Sequence, residues 1–176
     1  MAKRIAVLLV IVVFLLWKVP YGMGYFVNVT PSYPFGLYKL QRGFDWRRDK
    51  FELVLFCPFG VLLLPPYQSY LPEAPVTHCN DGAGFAPLFK RVVAVPGDVV
   101  ESNDEVITVN GLPLPFTQRR HKDTSDHPLP KAPDRVVLSD NVWLMSTYST
   151  VSWDSRYYGP VPLTAIIGVV KPVWTW

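Results

Sequence analysis

Proline interrupts this chain so often that long regular elements have little room. There are 18 prolines in 176 residues. Each fixes its own φ, withholds a backbone donor and pushes the residue before it away from the helical region. Phe, Trp and Tyr supply 14% of the chain, which suits pleated, half-buried strands. Short apolar runs closed by turn residues recur from residue 51 onward, with no internal repeat, no heptad and no convincing soluble amphipathic helix. The pattern predicts a mostly β fold built as an antiparallel domain. The length fits one domain of ordinary size plus a short appendage. A net charge of +3 with no basic stripe among the aromatics leaves no footprint for nucleic acid.

The appendage is at the N-terminus. Lys3 and Arg4 precede an unbroken apolar run over residues 5–17. As a helix it reaches about 20 Å at ~1.5 Å per residue, short of the roughly 30 Å of bilayer hydrocarbon. Lys18 can snorkel, and Trp17 and Tyr21 can sit at the interface. Two readings stay open, a short anchor with its N-terminus inside or a cleaved signal segment. Both assign residues 1–20 to the membrane or signal segment and place the rest outside the cytoplasm. In that compartment Cys57 and Cys79, the only cysteines, read as one disulfide. A bridge over a loop of this length is worth roughly 3 kcal/mol if unstrained.

Residues 38–50 are polar and basic and read as an exposed loop or hairpin. Residues 51–56, 89–95, 106–109, 135–138, 142–145 and 165–170 read as strands, and Asn110-Gly111 is a hairpin signal. In residues 89–95 both faces are apolar, Val92 and Ala94 on one and Val93 and Val95 on the other, as in strands buried on both sides. Lys90 shares a face with Val92 and Ala94. An ammonium there is costly and is pushed toward the neutral amine, unless the side chain frays off the strand end into water. Residues 99–135 form a small hairpin and loop insert.

The usual bases are poorly placed. His78, His121 and His127 lie in loop-like stretches without metal-ligand spacing, and no metal or cofactor is expected. Serine with lysine remains. Ser32 sits between Pro31 and Pro34, in a segment expected to be extended and rigid, with Gly36 allowing a turn after it. It is either a presented nucleophile or a turn serine in a Pro-rich linker. Free lysine has a pKa of about 10.4, so only about one in a thousand is neutral near pH 7. A drop of about 2–3 units would make it a usable base, and Lys90 is the lysine whose surroundings can supply that drop.

Four stretches together resemble the type I signal peptidase family of Ser–Lys proteases. Thr30-Pro31-Ser32-Tyr33-Pro34 resembles its nucleophile box, and residues 49–56 loosely resemble the β box after it. Lys90-Arg91-Val92-Val93-Ala94-Val95-Pro96-Gly97-Asp98 closely resembles the lysine box. Ser152-Trp153-Asp154-Ser155-Arg156 through Gly159 closely resembles the S-x-D-S-R-x-x-G box. Pro34-Phe35-Gly36-Leu37-Tyr38, Phe56-Cys57-Pro58 and the Cys79 loop resemble the TraF branch, the conjugative-transfer peptidases.

The resemblance implies a signal-peptidase-like β domain over residues 28–176, outside the inner membrane in the periplasm. It implies that Ser32 is the nucleophile and Lys90 the general base. The Ser32 N–H and the Thr30 hydroxyl would form the oxyanion hole, Ser152 would orient the Lys90 amine, and Asp154 with Arg156 would form a structural ion pair. Tyr33 departs from the family's usual Met. The implied substrate is a pilin precursor in the inner membrane, cut near its C-terminus and joined head to tail. The alternative is a general signal peptidase that removes secretory signal peptides.

Overall fold

The computed structural model describes residues 22–74, 79 and 84–176. The apolar N-terminal segment, the choice between anchor and signal, and His78 lie outside the described residues. Among the described residues no helix is long and apolar enough to cross a membrane.

The strands in chain order are β1 (Tyr25–Asn28), β2 (Gly36–Arg42), β3 (Leu53–Phe56), β4 (Leu88–Ala94), β5 (Val99–Ser102), β6 (Ile107–Val109), β7 (Leu112–Pro113), β8 (Arg135–Val137), β9 (Asn141–Met145), β10 (Val161–Pro162) and β11 (Ile166–Thr175). A single helical turn, α1 (Ser155–Tyr158), and three short 3-10 turns complete the described elements. The fold is mostly β, and every strand pairing is antiparallel. One sheet runs β1-β2-β11-β3-β4-β9-β10 and the other β7-β6-β5-β8.

The long sheet is held together by β11, which pairs with β2 on one side and β3 on the other. Glycine makes that possible at two points. A Cβ on Gly36 would lie 2.3 Å from the Trp174 carbonyl oxygen, and one on Gly168 would lie 2.3 Å from the Arg42 carbonyl oxygen. Only a residue without a side chain fits such approaches. Gly36 therefore opens a strand where the sequence suggested a turn. The loop expected over residues 38–50 likewise begins as strand: β2 runs to Arg42, with Tyr38 buried while its end is exposed. A strand with one wet face tolerates these cations.

Among the described residues, three apolar clusters fill the domain. Val54, Phe56, Val92, Leu144 and Val169 pack beneath the 3-10 turns around Leu62 and Leu71. Val93, Ala94, Trp143 and Met145 pack against Val100, Ile107 and Val109 of the short sheet. Leu53, Leu55, Phe89 and Val170 pack with Phe26, Tyr33 and Tyr38. The alternation expected along β4 is broken. Its register against β9 slips between Val92 and Ala94, so Val92 and Val95 share one cluster and Val93 and Ala94 another. One extra residue in a strand swaps the faces of the residues beyond it. Lys90 precedes the slip and keeps the face of Val92. Cys57, one residue past β3, is bonded to Cys79 with Cα atoms 5.4 Å apart.

Candidate active site

Ser32 lies in the turn between β1 and β2, buried to 6% exposure. Neither strand includes it, so its position depends on side chains. Asn28, at the end of β1, donates through Nδ2 to the carbonyls of Thr30, Tyr33 and Pro34 at 3.0–3.1 Å. Its Oδ1 accepts from the Thr30 N–H at 3.2 Å and the Thr30 hydroxyl at 2.8 Å. The Thr30 and Ser32 hydroxyls are 2.9 Å apart. From one residue past the end of β9, Ser146 Oγ donates to the Ser32 carbonyl at 2.6 Å.

Tyr33 points away from the cleft into the molecule. Its hydroxyl donates to the Met145 carbonyl at 3.2 Å, and its ring stacks on Tyr148 with centroids 6.3 Å apart. Tyr33 thereby braces the turn against the end of β9.

Lys90 is on β4, opposite Val54 of β3. Its side chain is buried, and Nζ donates to the Phe89 carbonyl at 2.9 Å. Burial lowers its pKa from 10.5 to about 8; the Asp154 carboxylate pulls upward and the Arg156 guanidinium pushes further down. At pH 7 about one amine in ten is then neutral. Charge loss from desolvation is the dominant cause, as expected of a lysine on a dry strand.

Ser32, Lys90 and Ser152 line one cleft of about 430 Å³. Its walls come from residues 27–31, 69–72 and 86–89, with Val151 and Trp153 beside Ser152. No hydrogen bond joins Ser32 to Lys90 among the described residues, because each polar head is held by a neighbour. Ser152 Oγ is buried and has no hydrogen-bond partner among the described residues, the Lys90 amine included. The cleft thus holds a hydroxyl, an amine of lowered basicity and a spare hydroxyl, a set suited to acyl transfer.

Behind the cleft, Asp154 and Arg156 of the last sequence box are densely bonded. Arg156 Nε donates to Asp154 Oδ1 at 2.8 Å and Nη2 to Oδ2 at 3.0 Å, with both side chains buried. Arg156 also donates to the carbonyls of Gln118 and Thr150. Asp154 caps α1 by accepting from the Arg156 N–H, and it accepts from the Ser146 N–H at 3.1 Å. The pair expected from the sequence is present. Its link to Ser146, and so to Ser32, was not foreseen. Asn28 was also missed, although an Asn two residues before a Thr-Pro is an Asx-turn signal. Ser146 carries no local signal, since its partner lies 114 residues away. His121 and His127 lie outside the cleft, where His127 Nδ1 is 3.3 Å from Asp123.

The chain is similar to known proteins over most of its length. The chain is 33% identical over 156 residues to a conjugal transfer protein TraF of Agrobacterium fabrum, covering 86% of this chain and 83% of that one. It is 37% identical over 164 residues to a plasmid transfer protein TraF of Escherichia coli, with 89% and 86% covered. A solved signal peptidase I of Enterococcus faecalis aligns with 76% of this chain and 100% of its own, at a TM-score of 0.40 and 17% identity. The family described as "Signal peptidase, peptidase S26" matches residues 1–176. The chain therefore belongs to the signal peptidase family, peptidase S26.

Proposed function

We propose that this chain is a membrane-associated periplasmic serine endopeptidase that works through a Ser32–Lys90 dyad and matures a conjugative pilin precursor. The observation that carries the dyad is that the buried Lys90 amine, with its pKa near 8, lines the same cleft as the Ser32 hydroxyl. The relatives named as conjugal and plasmid transfer proteins support the substrate class.

In this reading Ser32 Oγ attacks the scissile carbonyl carbon and passes its proton to neutral Lys90. To engage, Nζ leaves the Phe89 carbonyl and Ser32 Oγ leaves Thr30. The oxyanion takes hydrogen bonds from the Ser32 N–H and the Thr30 hydroxyl, each such donor being worth about 3 kcal/mol. The C–N bond breaks, and the Lys90 proton goes to the leaving amine. Lys90, neutral again, then activates the acceptor that releases the ester. Water gives a linear product, and the precursor's own N-terminal amine gives a cyclic one. We favour the amine, whose success requires that it be positioned and that water be excluded.

Mass spectrometry of a pilin precursor incubated with wild type, Ser32→Ala and Lys90→Ala tests the proposal. The expected product lacks the C-terminal tail, is lighter than the linear form by one water, and is absent with either variant. A linear product would remove the cyclisation. Clean cleavage of an ordinary secretory preprotein instead would favour the general signal peptidase. Processing by both variants at the wild-type rate would remove the dyad.

A further inference from the structure

Asn28 makes more polar contacts with the nucleophile turn than any group so far assigned a chemical role. It is 2% exposed and sits at the last position of β1. The orientation of its amide is fixed by its surroundings. Nδ2 faces the carbonyl oxygens of Thr30, Tyr33 and Pro34, while Oδ1 faces the N–H and hydroxyl of Thr30. A flipped amide would set an oxygen against three carbonyl oxygens.

That orientation decides where two protons point. Amide Oδ1 can only accept, so the 2.8 Å contact carries the Thr30 hydroxyl proton toward Asn28. The 2.9 Å contact between Thr30 and Ser32 then carries the Ser32 proton toward Thr30. Resting Ser32 is the outer end of a short chain of donors that terminates on Asn28. For Thr30 to donate to an oxyanion, its proton must swing off Oδ1, and Oδ1 still keeps the Thr30 N–H.

We infer that Asn28 is the positioning residue of this site: its Nδ2 clamps the turn that presents Ser32, and its Oδ1 holds the Thr30 hydroxyl in register until charge develops on the substrate. Asn28 acts through Thr30 and Ser32 and touches no reacting atom. The inference rests on the proposal that Ser32 is the nucleophile, so its test must separate the two. Misplacing a reactive group by about 1 Å costs on the order of 10²-fold in rate, which sets the size of the effect sought.

The experiment is acylation of the full chain by p-nitrophenyl acetate, followed by intact mass, which requires no knowledge of the natural substrate. The Ser32 Oγ–acyl bond forms, the ester C–O bond breaks, p-nitrophenolate leaves, and the serine proton passes to Lys90. Wild type, Ser32→Ala, Asn28→Asp and Asn28→Ala are compared between pH 6 and 10, with near-ultraviolet circular dichroism as the check on folding. Asn28→Asp keeps the acceptor for Thr30 and loses the clamp.

The expected result is a plateau rate about 30–100-fold lower in both Asn28 variants, with the rising limb still centred near pH 8, where burial sets Lys90, and with native spectra. Wild-type acylation rates in either folded Asn28 variant would overturn the inference and leave the dyad standing. Loss of the native spectrum in both would make Asn28 a stability residue alone and overturn it as well. Equal acylation of wild type and Ser32→Ala would remove the dyad itself, and the inference with it.

Discussion

Two buried polar regions meet at Ser152, and they are finished to different degrees. In the Asp154–Arg156 region every guanidinium nitrogen is engaged and both carboxylate oxygens accept. In the cleft next to it, Lys90 Nζ has one carbonyl and Ser152 Oγ has nothing among the described residues. Buried charge is tolerable when paired and fully bonded, and breaking such a pair is expensive. A buried amine without a counter-ion answers differently, by giving up its proton. The first region stores position and the second stores reactivity, although both are dry and both carry formal charge.

Lys90→Met puts this contrast under the greatest strain. On the proposed dyad, activity should fall about 10²–10⁴-fold, yet the folded state should gain stability. The folded pKa of Lys90 is depressed from 10.5 to about 8. The unfolded chain therefore binds more protons between those values, and stability rises with pH across that window. Below about pH 8 the full cost of the buried ammonium is present, about 3 kcal/mol. The lost bond to the Phe89 carbonyl offsets about 1 kcal/mol of the gain. A thermal scan at pH 7 should show the variant melting above wild type. A lower midpoint would mean that the amine is stabilised by something the contacts do not reveal.

Arg156→Met should do the reverse. It strands a buried carboxylate at a cost of about 3–5 kcal/mol. Thermal denaturation should register this as a fall of roughly 10 °C in a domain of this size. A change within a degree or two would show that Asp154 reaches water and that the contrast is overstated. The pH profile comes next in size. Activity should rise about 10²-fold from pH 6 to pH 9 as Lys90 passes its pKa near 8. A flat profile measured on the wild type would mean that another group takes the serine proton. Ser152→Ala is the smallest step. Removing an unbonded buried hydroxyl should leave stability unchanged or slightly higher, while activity falls about tenfold if Ser152 guides the engaged amine. Unchanged activity would reduce Ser152 to lining.

The candidate boxes were legible because their constraints are local. The Pro31–Pro34 frame, the apolar run around Lys90 and the Asp154–Arg156 spacing each mark a candidate within a few residues, and only the resemblance across all of them suggests roles. β3, β4, β9 and the start of β11 were readable for the same reason, as apolar runs ending at turn residues. The features that stayed hidden depend on distant chain. β2 looked like loop because its cations face water while Tyr38 faces a core assembled from four other strands. The slip at Val93 is visible only against β9. Ser146, one serine in a run of hydroxyl residues, gains meaning from Ser32 more than a hundred residues before it.

The order of strands in the long sheet also has a consequence for biosynthesis. The hairpin carrying Ser32 and the strand carrying Lys90 are not sheet neighbours on their own; β11 lies between β2 and β3, and it comes after every other strand in chain order. While the chain is still being made, the hairpin bearing Ser32 and the strand bearing Lys90 belong to separate, unsealed pieces. Contacts so far apart in sequence close last, since loop-closure entropy must be met before they reward it. On the proposed dyad, activity should therefore belong to the completed fold, and a truncated chain lacking β11 should be inactive.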